Sequence, residues 1–268
     1  MPELPEVETT KNGLAPYLEG NTFVDVEVNF PRLRYPIPAL EPILNKKISS
    51  ITRRAKYLLI NIENSPTMVI HLGMSGSLLL CKKDQPKIKH DHVVFTLKNG
   101  TELRYNDPRR FGSILLYDDV ESFTSSLGME PLEDEFNGNA LYKMLQSKPK
   151  SNLKTTIMDG KILVGVGNIY ACESLFLAGL SPLKKGKTVN KKQAENLAEI
   201  IKETLHKAIE AGGSTLKDFK HSDGKLGYFQ HSFKVYGRGG EPCFVCKKPI
   251  AKIVIGQRST FYCSKCQK

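Results

Sequence analysis

Four cysteines close to the C-terminus leave that end of the chain few ways to fold. Cys243, Cys246, Cys263 and Cys266 read C-x2-C, sixteen residues, C-x2-C. Each C-x2-C presents two thiolates from one tight turn, and two such turns complete a tetrahedral shell around one Zn2+ with no open coordination position. The expected metal is therefore a single structural zinc. The alternative is a reduced cysteine cluster without metal. Gly256, among apolar residues, allows a β-hairpin between the pairs. Cys81 and Cys172 stand alone in apolar surroundings and read as buried, reduced thiols.

Upstream, the hydrophobic period changes twice. Residues 4–18 place Leu4, Val7, Leu14 and Leu18 at helical spacing, with Pro5 suited to a first turn and Gly13 and Pro16 weakening the far end. Val24, Val26, Val28 and Phe30 then alternate with polar residues, as in a half-buried strand. Short strands follow around Leu58, Met68, Leu78, His92, Thr101 and Ile114, and Asn99-Gly100 reads as a hairpin turn. From about Glu130 the period is helical. Asn137 and Asn168 read as helix caps, and residues 191–211 form the clearest amphipathic helix. The expected fold is α+β and multidomain. Residues 1–125 form an antiparallel β-sandwich with a flanking helix, 126–225 a helical domain, and 226–268 a β-hairpin zinc finger.

Charge narrows the partner. The net charge is +11, and residues 211–268 carry nine Lys and two Arg against three acids. A basic C-terminal end points to a polyanion, nucleic acid before an acidic membrane, or to a solvated lysine-rich surface. No apolar run approaches the roughly 20 residues needed to cross a bilayer. The start MPELPEVETT lacks the regions of a secretory signal. A soluble, cytoplasmic protein is expected.

Several short segments carry chemistry. NDPRRFG (residues 106–112) puts Arg109, Arg110 and Phe111 on a turn after a strand. An arginine pair beside an aromatic suits insertion into a duplex, or it is an arginine pair beside a core phenylalanine. Met74, in the Gly-punctuated HLGMSGS, reads as an apolar wedge or as core filling. GVGN (residues 165–168) opens a helix whose free N–H groups suit a phosphate. Arg258, between the cysteine pairs, reads as a phosphate contact or a surface arginine. Removal of Met1 would leave Pro2 as a secondary amine, partly neutral near neutral pH and able to form an iminium with a sugar carbon. Glu3 and Glu6 would stand beside it as acid–base groups, or the terminus is unremarkable.

Taken in order, MPELPEVET, RRAKYLL (residues 53–59), HLGMSGS, KHDHV (residues 89–93), NDPRRFG, VGVGNIYACESLF, GGSTLKDF (residues 212–219) and the four-cysteine finger resemble the formamidopyrimidine-DNA glycosylases over nearly the whole chain. Leu4 stands where the sister endonuclease VIII type more typically has glycine. The resemblance implies a helix–two-turn–helix middle domain. It also implies a bacterial, monomeric base-excision repair glycosylase/AP lyase, found with the nucleoid, acting on double-stranded DNA that carries 8-oxoguanine, formamidopyrimidines or abasic sites. It assigns Pro2 as nucleophile, Glu3 as general acid on the sugar and Glu6 as support. Lys56 goes to a phosphate and to proton transfer in β-elimination, and Arg258 to a phosphate and δ-elimination. Met74, Arg109 and Phe111 would fill the gap left by the flipped base, with Arg109 facing the orphaned cytosine. His90, Lys150 and Asn168 would touch the DNA backbone, and residues 217–228, beginning at Lys217, would form the loop over the extruded base. The rivals are an endonuclease VIII-like enzyme acting on oxidised pyrimidines and a non-catalytic zinc-finger DNA binder.

Overall fold

A computed structural model of the chain describes residues 1–213 and 233–268. Two compact units emerge, one built on Met1–Ser125 and the other on Ser126–Glu210 with residues from 233 onward. Lys217 and the rest of the expected lesion loop lie outside the described residues.

The first unit opens with helix α1 (Leu4–Leu18). Its start is closed by a reciprocal capping box. The Glu6 carboxylate accepts from the Glu3 backbone N–H at 2.8 Å, and the Glu3 side chain accepts from the Glu6 backbone N–H. The helix runs on through Pro16, because Leu14 and Leu18, both fully buried, anchor its last turn in the core. Eight strands follow: β1 (Phe23–Val28), β2 (Ile48–Arg54), β3 (Tyr57–Ile62), β4 (Thr67–His71), β5 (Ser77–Lys82), β6 (Asp91–Leu97), β7 (Thr101–Asn106) and β8 (Ser113–Tyr117). They form two antiparallel four-stranded sheets, ordered β1-β6-β7-β5 and β2-β3-β4-β8. One apolar core joins both sheets to α1, with Phe23, Leu58, Ile70, Leu78 and Phe95 among its members. A short helix, α2 (Val120–Ser125), closes the unit.

One expectation about a face holds only in part. Val24 and Val28 are exposed, while Phe23 is fully buried. Strand β1 lies at a sheet edge, and its pairing with β6 slips between Phe23 and Asp25. The extra residue at that slip leaves both Phe23 and Val26 on the core side, Val26 half-buried against the core, with Val24 outside. The turn at Asn99-Gly100 is a three-residue loop in which Gly100 has φ +82°, the left-handed position after a tight turn.

The second unit contains α3 (Gly138–Ser147), α4 (Leu153–Ile157), α5 (Asn168–Leu177), α6 (Lys191–Glu210) and the hairpin β9 (Ala251–Ile255)–β10 (Arg258–Tyr262). Asn137 caps α3 as expected, accepting from Ala140 N–H at 3.1 Å. Asn168 does not cap α5. Gly167 holds that position, and Asn168 is the first helical residue. Its amide instead reaches the hairpin, donating to the Ser259 carbonyl at 2.8 Å. Phe176, Val235, Ile250 and Phe261 pack with the cysteines into one small core. Cys81 and Cys172 are buried and free of disulfides. Among the described residues no helix is long and apolar enough to cross a membrane.

Candidate active site and nucleic-acid interface

Strand register gathers the sequence-derived candidates of the first unit at one end of the sandwich. Arg54 pairs with Tyr57, Tyr57 with His71, and His71 with Ser113. The β2–β3 turn carrying Lys56, the end of β4 and the start of β8 therefore share one edge. In the other sheet Asn106 pairs with both Ser77 and Asp91, bringing together the ends of β5, β6 and β7. Two loops cross between the sheets at that end. Residues 72–76 carry Met74 from β4 to β5, and residues 107–112 carry Arg109 and Phe111 from β7 to β8.

These two loops lie against each other. Gly73 has φ +62°, and a Cβ there would stand 2.4 Å from the Gly112 nitrogen and the Phe111 carbonyl carbon. A Cβ at Gly112 would meet the Tyr105 hydroxyl at 1.7 Å. Only glycine permits this approach. Phe111 is 48% exposed, so it is not the core phenylalanine of the alternative reading. The Arg109 guanidinium lies 5.1 Å from its ring centre. Met74 is half-buried, and His90 is half-buried with φ +76°.

At the head of α1, Pro2, Glu3 and Glu6 are all buried. Both carboxylates sit at the helix N-terminus, where unpaired N–H groups and the helix dipole favour negative charge. Gly213, φ +74°, packs against Glu6: a Cβ there would lie 3.3 Å from the Glu6 carboxylate oxygen. Lys56 sits on a two-residue turn whose first residue, Ala55, has φ +56°. Arg53 braces that turn, donating to the Ala55 carbonyl at 2.9 Å and to the Glu8 carboxylate of α1 at 2.7 Å. Burial raises the Glu8 carboxyl, but hydrogen bonds from Lys11 and Arg53 outweigh it and hold the group below the usual carboxylate range. His71 is pushed down to about 4 by burial first, then by the charges of Lys56 and Arg34, against the opposing pull of Asp107. Its Nδ1 accepts the Gly73 N–H at 3.0 Å, so the neutral ring carries its proton on Nε2.

In the second unit the four Sγ atoms lie within 4.8 Å of one another, with Cys243–Cys266 at 3.9 Å and Cys246–Cys263 at 3.4 Å. The edge of a zinc–thiolate tetrahedron is about 3.8 Å for Zn–S bonds of about 2.3 Å. The donor set therefore fits one structural zinc. Gly256 and Gln257, at φ +55° and +60°, close the β9–β10 hairpin, and exposed Arg258 follows at once. Arg258 lines a cleft of about 460 Å³ with Lys148, Ser151 and Lys154. Lys150 is exposed on the loop between α3 and α4.

Two buried residues that sequence reasoning passed over hold this region. Lys154, 1% exposed, donates to the Thr260 hydroxyl at 2.7 Å and to the Asn168 side-chain Oδ1 at 2.5 Å. Glu173 accepts the backbone N–H groups of Lys234, Val235 and Tyr236 at 2.8, 3.0 and 2.8 Å. Burial raises its carboxyl above the ordinary range despite those donors. A glutamate inside the apolar run NIYACESLFL was the available signal, since a buried acid needs fixed partners.

Comparisons agree along the chain. Residues 1–114 match the formamidopyrimidine-DNA glycosylase N-terminal domain, 127–220 the helix–two-turn–helix domain of the same enzymes, and 240–268 a zinc finger found in FPG and IleRS. The formamidopyrimidine-DNA glycosylases of Photorhabdus laumondii and Hahella chejuensis are 49% and 47% identical to this chain, each covered in full along with it. The crystal structure of MutM (Fpg) from Thermus thermophilus superposes with TM-score 0.88 at 34% identity, covering 99% of this chain and 98% of that one. Lactococcus lactis Fpg in complex with DNA containing an oxidised pyrimidine gives TM-score 0.90 at 32% identity over the whole of both chains.

Proposed function

The chain belongs to the formamidopyrimidine-DNA glycosylase family, and from that premise we propose that it is a base-excision repair enzyme with glycosylase and AP lyase activities. It removes 8-oxoguanine and formamidopyrimidines from duplex DNA and nicks the strand at the resulting abasic site. The observation that carries this reading is the buried head of α1, where Pro2 adjoins two carboxylates fixed by their own helix. With Met1 removed, the Pro2 nitrogen attacks C1′ of the flipped nucleotide as the base departs. The attacking nitrogen loses its proton to give an aminal. The C1′–O4′ bond then breaks, with Glu3 protonating O4′, and leaves an iminium that acidifies the adjacent C2′–H and opens the strand by β- and then δ-elimination. Glu3 acts as general acid on the sugar, and Glu6 fixes the helix start. Lys56 holds a flanking phosphate and moves the β-elimination proton. Arg258 holds a phosphate for the second elimination.

A base inside a duplex is out of reach, so it is flipped at a cost of a few kcal/mol of unstacking. Met74, Arg109 and Phe111 offset that cost by filling the gap, with Arg109 toward the orphaned cytosine. His90, Lys150 and Asn168 contact the DNA backbone, and Lys217 belongs to the loop over the extruded base. Zinc held by Cys243, Cys246, Cys263 and Cys266 shapes the hairpin that presents Arg258. The domains are assigned as 1–125, 126–225 and 226–268, and the protein as a monomer in the bacterial cytoplasm, associated with the nucleoid.

Borohydride trapping on 8-oxoguanine DNA, followed by peptide mapping, tests the chemistry. The cross-link is expected at Pro2. A cross-link at Lys56, or full activity with Met1 retained, would overturn the assignment. A relative was solved with an oxidised pyrimidine, so 8-oxoguanine and thymine glycol duplexes belong side by side, with faster excision of the purine expected.

A further inference from the structure

Resting on the reading of this chain as a base-flipping glycosylase, we propose that Asp107 and Ser75 form a clasp that stiffens the two wedge loops and so positions Met74, Arg109 and Phe111 for extrusion of a paired lesion. Asp107 is fully buried. One carboxylate oxygen accepts the Ser75 hydroxyl at 2.6 Å and the Arg109 N–H at 3.3 Å. The other accepts the Gly112 N–H at 2.9 Å, with the Tyr105 hydroxyl at 3.5 Å. Ser75 Oγ in turn accepts the Arg109 N–H at 3.1 Å, and the Asp107 carbonyl oxygen lies 2.8 Å from His92 Nε2.

This carboxylate does what an apolar side chain in the same space could not. It fixes backbone N–H groups at two points of the loop that bears Arg109 and Phe111. It also takes the hydroxyl of the residue directly after Met74. The loop so held is not relaxed, since Arg110 has φ +56°. The tips of Arg109 and Phe111 are exposed, so their direction is set by the backbone beneath them. A wedge pressed into a base stack works only if its base yields less than the stack does. Burying a carboxylate is costly, and its hydrogen bonds to fixed donors offset that cost.

The test compares Ser75→Ala, Asp107→Ala, Asp107→Asn and the double variant Ser75→Ala/Asp107→Ala in single-turnover excision of 8-oxoguanine paired with cytosine and in cleavage of a pre-formed abasic site. Opening is read by 2-aminopurine fluorescence beside the lesion, and folding by the melting temperature. Asp107→Ala is expected to slow excision of the paired lesion about tenfold more than cleavage of the abasic site, the size of one buried hydrogen-bond partner lost. Opening should slow in step. Asp107→Asn should recover most of the loss, because its oxygen still accepts from Gly112 and its amide can donate to Ser75 Oγ. The double variant should lose less than the sum of the two single losses, since the two residues share their mutual hydrogen bond and the Arg109 N–H. Should Asp107→Ala fail to fold, Ser75→Ala, which removes a single hydroxyl, carries the comparison. Equal losses on both substrates, an Asn variant as poor as Ala, or additive effects would overturn the clasp. A parent protein inactive on both substrates would instead overturn the glycosylase reading beneath it.

Discussion

The turn that carries Lys56 is fastened to α1 by one arginine, and that contact has measurable consequences. Arg53 spans the Glu8 carboxylate and the Ala55 carbonyl. Arg53→Ala leaves both acceptors short of a donor. It should destabilise the protein by about 1–3 kcal/mol in urea unfolding and slow base release, while Pro2 still traps. His71 gives a sharper test. Its folded-state value of about 4 lies below the ordinary histidine range. Between about pH 6.5 and pH 4 the unfolded chain binds the proton and the folded one does not. Stability is therefore complete above that window and falls as pH drops through it, by about 3 kcal/mol at most. NMR titration should place the His71 transition near 4, with Nε2 protonated at neutral pH. A midpoint in the ordinary range would refute the buried environment. Glu8 acts at a lower pH and with the same sign. Its carboxyl is depressed, so its contribution is present above the ordinary carboxylate range and is lost as pH falls through its folded value.

Among the elements, the finger gives the clearest prediction. Its backbone is sewn to the end of α5 by hydrogen bonds between Lys268 and Gly179 and between Ser181 and Lys268, both at 2.9 Å. Cys246→Ser removes one of four thiolates, so zinc content, hairpin order and DNA affinity should fall together. Full affinity in a zinc-free protein would refute this. The finger was legible because ligand spacing is a local property. Helices α1 and α6 were legible for the same reason: the period is written in consecutive residues, and their buried faces follow it. The face of β1 was legible only in part, Val26 but not Val24 meeting the core, because it depends on a slip against β6, a strand far away in sequence. Asn168 misled in the same way. Its residue type suits a cap, but its amide is taken by Ser259, 91 positions on. Glu173 was passed over because its partners are backbone groups, and Asp107 because its shortest hydrogen bond comes from Ser75, 32 positions away, and sequence patterns mark neither. The motif residues around Asp107 pointed to a loop with chemistry without showing what holds it.

At the scale of the whole molecule, charge decides how binding responds to its surroundings. Of the +11 net charge, the segment from residue 211 to the end contributes +8. Neutralising a phosphate releases condensed counterions, so log K for duplex DNA falls with log salt at a slope of about −0.9 per contact. Lys150 is exposed, on a loop beside the cleft that Arg258 lines. If it holds a phosphate, Lys150→Ala should weaken binding to lesion and undamaged duplexes equally and make the slope shallower by about 1. Arg109→Ala should behave differently. A residue facing the orphaned base acts only once the base has left the stack, so its loss should lower lesion affinity and leave the slope and the binding of undamaged duplex almost unchanged. Fluorescence anisotropy across a salt series, on matched duplexes with and without 8-oxoguanine, separates the two. A parallel drop on both duplexes for Arg109→Ala, with a shallower slope, would make Arg109 a phosphate contact and move the reading of the orphaned base elsewhere.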